Sequence, residues 1–519
     1  MKPNVLIFMT DQQNGKTILE GTGIRAKTPN LDRFRRKAVT FSRAYAPSPH
    51  CCPSRASFFT GRYPSEHGVW NNVNVTNALS RGPRPETPFW SRDLKAAGYD
   101  LGFCGKWHVS NFQPPAEFGW DECHVTAAAT RSSDPHEQWT EARAREVRVL
   151  EERARGAVVP VPRLPGEIVR PGWPRYVHFG SSEDPFGDEG VVASAQDYLR
   201  LRGGGGASQA PWCLYVGTLG PHDPYTPPQK FIDLYDIDEI VLPPSFSDPM
   251  SDKPGLYRRT RDNFDQLSEQ EHRQALLHYL AFCSYEDDLF GRLLETLEAT
   301  GQQDNTIIVY ASDHGDYAGE HGLWGKGLPA FSSAYHVPMV VGGAAVSPDR
   351  RGALSEYPIS LVDFAPTLLA LCGTPSAGQL SGVSFAAQLY ADGIPAERSI
   401  VLQSNGNEAY GIQRTIMRGR WKLVHNMFDF DELYDLERDP DEITNLIAPP
   451  LDRRQLERGA LDHVEPDLRE IVRDLYEKLW RFSLDHDDEN INGYIITALA
   501  PFGPGIAMAG GAALPKDER

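Results

Sequence analysis

The chain has 519 residues, 40% hydrophobic and 10% aromatic, too apolar for a disordered polymer and too long for one small domain. Its 52 basic and 70 acidic residues give a net charge of −18, which argues against a general nucleic-acid or anionic-membrane binder and leaves small anionic substrates open. Seven cysteines, odd in number and sparse, make no disulfide framework and fit a reducing compartment. The opening MKPNVLIFMTDQQ holds a short apolar run without a small-residue cleavage site. It reads as neither signal peptide nor membrane span, so a cytoplasmic enzyme is expected.

In chain order, apolar runs rich in β-branched and aromatic residues predict strands at Asn4 to Thr10, Tyr99 to Cys104, Trp212 to Thr218, Thr306 to Ser312 and Val337 to Val341. Helical patterns separate them. Leu289, Phe290, Leu293, Leu294 and Leu297 keep helical spacing, with Gly301 as a C-cap before the Thr306 strand. The fold class is therefore α/β, a large mostly parallel sheet flanked by helices. The segment from about 125 to 185 interrupts this rhythm with a charged helix at Glu137 to Arg155 and with Trp139, Trp173 and Tyr176. An insertion of that length is more often functional than idle. Gly203 to Gly206 reads as a flexible connection before the Trp212 strand.

After Gly393 the texture changes to short strands, Ser399 to Gln403, Gln413 to Arg418 and Trp421 to His425, then a helix from Pro466 to Phe482. Three units are expected: residues 1–393, a smaller α+β subdomain at 394–489, and a tail at 490–519. From Asp429 to Glu489 there are 20 acidic and 8 basic residues, so the C-terminal unit holds two-thirds of the net charge. Asn490 to Pro515 carries no charge, and Pro501 and Pro504 argue for an arm packing on this subunit or a neighbour rather than a membrane helix. No internal repeat is visible.

Each main strand is followed by polar residues: Asp11 and Gln12, then Lys106 and His108, then His222, then Asp313 and His314. Ligands of open α/β sheets bind beyond the carboxyl ends of the strands, so the pattern predicts one polar site. The densest motif is His50-Cys51-Cys52-Pro53-Ser54-Arg55-Ala56-Ser57-Phe58-Phe59-Thr60-Gly61. A cysteine at a helix start with Arg55 one turn on would favour a thiolate. A phosphate-transferring loop of the His-Cys-x5-Arg kind is excluded, because position 57 is Ser57.

The run resembles the Cys-x-Pro-Ser-Arg element of type I, formylglycine-dependent sulfatases in the alkaline phosphatase superfamily. Gly105-Lys106-Trp107-His108, Pro221-His222-Asp223-Pro224-Tyr225, and Ser312-Asp313-His314-Gly315 with Lys326 downstream resemble further elements, and the similarity runs in family order to about Leu446. It implies hydrolysis of a sulfate monoester to alcohol and sulfate, an arylsulfatase-type activity. In that family the cysteine is oxidised by a formylglycine-generating (sulfatase-maturing) enzyme, here at Cys51. One hydroxyl of the hydrated aldehyde attacks sulfur; the other then releases sulfate.

The resemblance further implies a divalent metal on Asp11, Gln12, Cys51, Asp313 and His314, usually calcium, with the imidazole keeping manganese or magnesium open. Asp313 would take the proton of the attacking hydroxyl, Arg55 would steady the formylglycine, and Lys106 and Lys326 would clamp the sulfate. His108 would assist the release step and His222 would protonate the departing oxygen. Taken singly, an aspartate at a strand end is more often a cap, and a lysine a solvated charge. The remaining cysteines, Cys52, Cys104, Cys123, Cys213, Cys283 and Cys372, read as buried hydrophobes.

Two features point toward the phosphonate monoester hydrolase and choline-sulfatase branches: Asp-Gln at positions 11 and 12, and Asn72, placed to hydrogen-bond a bound oxyanion. A phosphonate monoester or phosphodiester hydrolase on the same site is therefore the alternative, and a non-catalytic binder of sulfated ligands the third reading. Ser332 to Pro338 departs from the family pattern and makes the leaving-group side of the pocket uncertain. Trp70, Trp107, Trp139 and Trp173 could stack on a sugar or aromatic alcohol or belong to the core. The expected partner is a small-molecule or saccharide sulfate ester, with no nucleic acid or membrane, and a homo-oligomer could form through the tail.

Overall fold

The computed structural model describes residues 2–126, 134–154, 162–203, 210–391, 397–407, 409–449, 461–491 and 500–509. Eight strands build the main sheet: β1 (Asn4–Thr10), β2 (Val39–Phe41), β3 (Asp100–Lys106), β4 (Asp121–Thr126), β5 (Trp212–Gly217), β6 (Thr306–Ser312), β7 (Met339–Gly343) and β8 (Leu354–Ser355), in the order β8-β2-β7-β6-β1-β5-β3-β4. β1 lies centrally and pairs in parallel with β5 and β6, while β7 runs antiparallel to both its neighbours. Because the central strands are covered on both faces, they are continuously apolar rather than alternating. Val5, Ile7 and Met9 of β1 join one core, and Leu6 and Phe8 join the other.

Helices α1 (Cys51–Thr60) and α4 (Phe364–Leu371) close the first core through Phe58, Phe59, Phe364 and Leu368. Helices α2 (Asp188–Gly203) and α3 (Glu269–Ala299) close the second, through Val191, Leu199, Phe290 and Leu293. A capping box starts α3: the Ser268 hydroxyl accepts the Glu271 N–H, and the Glu271 carboxylate accepts the Ser268 N–H. Thr300 caps its end, and Gly301 follows with φ 67°, one residue beyond the expected cap.

Several strand boundaries differ from the sequence reading by one to three residues, and two of the differences have a clear backbone reason. β3 continues past Cys104 to Lys106 because Gly105, at φ 99°, lies against β5; a Cβ there would stand 1.9 Å from the Gly217 carbonyl oxygen. β7 begins at Met339, after Pro338, which has no N–H to give a ladder. The charged helix of the insertion spans Pro135–Ala154. Arg155, Gly204 to Gly206 and the expected boundary at 393 lie outside the described residues.

The C-terminal sheet is antiparallel: β9 (Ser399–Gly406), β10 (Tyr410–Arg418), β11 (Trp421–Asn426) and β12 (Glu432–Asp435). One face, with Ile400, Leu402 and Met417, packs on Tyr257, Phe331 and Tyr335 of the main unit. The other, with Val401, Ile416 and Leu423, packs on α5 (Pro466–Asp485). Residues 500–509 of the tail pack on α5 of the same chain: the Trp480 indole donates to the Phe502 carbonyl at 2.7 Å, and Ala507 is buried. No helix among the described residues is long and apolar enough to cross a membrane.

Candidate active site

The carboxyl ends of β1, β3, β5 and β6 share one edge of the sheet because these strands are parallel. Backbone bonds fix the loops that leave it: Asp11 N–H donates to the Gly220 carbonyl and Asp313 N–H to the Thr10 carbonyl. Helix α1 aims its first turn at this edge, with Cys51 at its start and Arg55 one turn on, both fully buried.

Arg55 organises the floor. Its Nε donates to Asp313 Oδ2 at 2.7 Å, one terminal nitrogen to Asp11 Oδ2 at 3.3 Å, and the other to the Lys106 carbonyl and the Tyr215 hydroxyl. Lys106 Nζ pairs with Asp11 Oδ2 from the other side. On the inner side, Cys51 Sγ lies 3.2 Å from His314 Nε2 and 3.7 Å from Asp11 Oδ1. His314 Nε2 is 3.5 Å from Asp11 Oδ1 and 3.7 Å from Asp313 Oδ1. Ligand atoms of Asp11, Cys51, Asp313 and His314 all lie within 4.8 Å of one another. The His314 ring is set by its Nδ1, which donates to the Gly315 carbonyl at 2.9 Å and turns Nε2 toward the cluster. That is the arrangement of an imidazole prepared for a cation. Gly315 permits it, since a Cβ there would meet the Ser333 carbonyl oxygen at 2.0 Å.

Burial alone would raise the Cys51 thiol, but Lys106, Lys326 and His314 outweigh it and hold the pKa well below the ordinary thiol value. Burial and Cys51 likewise oppose ionisation of Asp11, and Lys106 and His314 hold it well below the usual carboxylate range. Against burial, Asp313 pulls the His314 imidazole up to about 9. A cation on Nε2 would displace that proton, so the set of two carboxylates, one imidazole and residue 51 fits a divalent metal.

A second set of residues forms the wall above this floor. Lys326 Nζ donates to Gln12 Oε1 at 2.6 Å and lies 2.8 Å from His222 Nε2. His222 Nδ1 donates to the Asp223 carbonyl at 2.6 Å. The Gln12 amide nitrogen donates to Asp223 Oδ1 and Asp316 Oδ2, and the Tyr176 hydroxyl donates to Asp223 Oδ2. Burial and Lys326 press the His222 pKa down, yet Asp223, Cys51 and Asp11 leave it raised overall. Burial followed by Lys106 holds His108 low, and its Nε2 donates to Asn74 Oδ1 at 2.9 Å. Asn72 accepts the Cys52 N–H on its Oδ1 and gives its own N–H to Asn407 Oδ1, which leaves its amide donors for a ligand. The wall opens to a cavity of about 630 Å³.

All eleven residues singled out in the sequence, Asp11, Gln12, Cys51, Arg55, Asn72, Lys106, His108, His222, Asp313, His314 and Lys326, meet at this edge. The Ser332–Pro338 segment does not line the cavity; Ser332 N–H is held by Glu442 of the C-terminal unit. Of the tryptophans, Trp107 packs on Phe59 in the core, Trp70 is buried under Arg414, and Trp139 and Trp173 are exposed. Cys123 is exposed, contrary to the buried reading, and all seven cysteines are free. Roles for Asn74 and Asn407 had no sequence signal; Asp316 had only its place after the Asp313-His314 pair, and Tyr176 only its place in the insertion.

The profile of the Sulfatase family matches residues 3–374, and that of the N-sulphoglucosamine sulphohydrolase C-terminal region matches 319–458. The chain belongs to the sulfatase family. This sulfatase is 31% identical over 481 residues to the choline-sulfatase of Rhizobium meliloti, covering 89% of this chain and 84% of the relative. It is 25% identical over 494 residues to an N-acetylglucosamine-6-O-sulfatase of Bacteroides thetaiotaomicron, covering 86% and 83%. A phosphonate monoester hydrolase structure from Agrobacterium radiobacter superposes with a TM-score of 0.69 at 22% identity, covering 93% and 96% of the two chains. The sulfatase is thus a sulfuric ester hydrolase on the α/β sulfatase fold.

Proposed function

We propose that this sulfatase cleaves its sulfate monoester at a formylglycine formed from Cys51, beside a divalent cation held by residue 51, Asp11, Asp313 and His314, with Gln12 at the edge of that set. The observation that carries this reading is the convergence of four buried ligand atoms, the Cys51 sulfur among them, with Arg55 and Lys106 backing the carboxylates from outside. The hydrated aldehyde supplies a geminal pair of hydroxyls as nucleophile and release trigger. The metal, calcium by family habit with manganese or magnesium open, supplies Lewis acidity toward a sulfate oxygen.

The chain's own residues do the rest. Lys106 and Lys326 carry charge to the sulfate oxygens and stabilise what develops there. Asp313 receives the hydroxyl proton while Arg55 holds its other oxygen. His222 gives a proton to the departing oxygen, and Asp223 beside it favours the charged ring. His108, kept neutral by burial and Lys106, is suited to accept the proton in the release step. Asn72 donates to the bound anion.

Gln12, Asn72 and His314 also suit a phosphonate monoester, the second reading. Peptide mass spectrometry of the Cys51 segment from native-host protein, followed by turnover of nitrophenyl sulfate against a nitrophenyl phosphonate, tests both. Aldehyde at residue 51 and faster sulfate turnover are expected. Unmodified cysteine in active protein would remove the nucleophile, and phosphonate turnover faster by orders of magnitude would favour the alternative.

A further inference from the structure

We infer that Arg259 reads a second anionic group on the alcohol portion of the ester, an inference that rests on the sulfate-ester chemistry proposed above. The short helix Gly255–Arg261 forms one wall of the site cavity and carries three arginines. Arg258 is tied to the Met250 carbonyl and Arg261 to the Asp248 carbonyl. Arg259 lines the cavity, is exposed, and has no hydrogen bond or ion pair among the described residues.

Among the described lining residues Asp223 is the one carboxylate. Its oxygens already accept from Gln12 and Tyr176, and the His222 ring lies 3.3 Å away. The lysine and arginine that line the cavity are engaged differently: Lys326 is bonded to Gln12 and lies against His222, whereas Arg259, on the Gly255–Arg261 helix, has no such partner among the described residues. An ester sulfate on the floor leaves the cavity with a guanidinium still seeking an anion. Such a group prefers a carboxylate or sulfate in forked geometry. A quaternary ammonium ester such as choline sulfate would meet that same charge, with no free carboxylate among the described lining residues to balance it. The substrate class is accordingly a sulfate ester bearing a further carboxylate or sulfate, as in an acidic saccharide.

The test is kcat/KM for choline sulfate, glucose 6-sulfate, and a disaccharide joining a 6-sulfated hexose to a uronate, with wild type, Arg259→Ala and Arg259→Lys. Dividing each variant's value by the wild-type value removes leaving-group differences between esters. The uronate ester is expected to lose about 10- to 100-fold in Arg259→Ala, the scale of one charge-assisted contact, and less in Arg259→Lys. The neutral ester, with nothing to offer Arg259, is the internal standard and reports intact folding. Equal losses on all three esters, or a wild-type preference for the choline ester, would overturn the inference and leave the proposed function standing. If protein with an aldehyde at residue 51 turned over no sulfate ester, the proposed function would fall, and this inference with it.

Discussion

Two buried arginines, one in each half of the molecule, carry the same interaction to different ends. Arg414 makes a forked pair with Asp488, both essentially without solvent exposure, and Arg55 bridges Asp313 and Asp11 in equal burial. Asp488 is used up: Oδ2 accepts from Arg414 and the Gln403 amide, and Oδ1 from Arg414 and the Asn490 N–H. At the catalytic edge, Arg55 and Lys106 both lie on Asp11 Oδ2, and Oδ1 looks inward at Cys51 and His314. Burial and charge are shared by both clusters, so neither marks function. What distinguishes the second is ligand atoms left converging on common space.

The contrast can be broken most severely at residue 51. Cys51→Ala should lower kcat by about 10⁴-fold or more with little change in thermal midpoint, since a small buried side chain is lost from a retained helix. Asp488→Ala should do the reverse, costing about 3–5 kcal/mol in a denaturant titration by stranding the Arg414 charge, with kcat per folded molecule within twofold. If Asp488→Ala abolished turnover in folded protein, the division between the clusters would fail.

Metal stoichiometry sharpens the same point. Exhaustive chelation should abolish turnover and re-addition of calcium, manganese or magnesium restore it. Asp313→Ala should drop bound metal well below one ion per chain and cut activity by about 10³-fold, whereas Asp488→Ala should retain the ion, as read by plasma emission spectroscopy.

At the wall, His222→Ala should cost about 10²-fold on an alkyl sulfate and under tenfold on nitrophenyl sulfate, whose leaving group needs no proton. In the role proposed for His222 the protonated ring is the active form, so its contribution to alkyl-ester turnover should be present below the raised His222 pKa and lost as pH rises through it. Asp223→Asn removes a charge that stabilises the protonated ring, so that loss should move to lower pH; a shift to higher pH would end the assignment. The smallest effect is expected where the C-terminal unit touches the site. Asn407→Ala removes the acceptor for the Asn72 N–H and should raise KM about fivefold, with kcat nearly kept.

Much of the catalytic edge could be read from sequence because parallel strands deliver their following residues to one end, whatever the distance in chain. Asp11 and Asp313 are about three hundred residues apart, yet β1 and β6 run in register. Residues that reach the site by other routes had no such signal. Asn407 comes from the turn between β9 and β10 of a different sheet, and Tyr176 from the insertion. The Arg414–Asp488 pair joins a strand to the residues after α5, with no spacing rule linking them. Lys106 fell beyond its expected strand because glycine is a poor strand former, while here its missing Cβ is what lets the strand continue.

The burial of residue 51 also imposes an order in time. Cys51 has 1% of its surface exposed, and every residue of its helix is buried. An enzyme that oxidises this side chain needs access to it, and in the folded chain the side chain is buried. The formylglycine proposed above would therefore have to be made on the newly synthesised chain, before it folds. A molecule that folds with its thiol intact is committed to remain in that form until it unfolds.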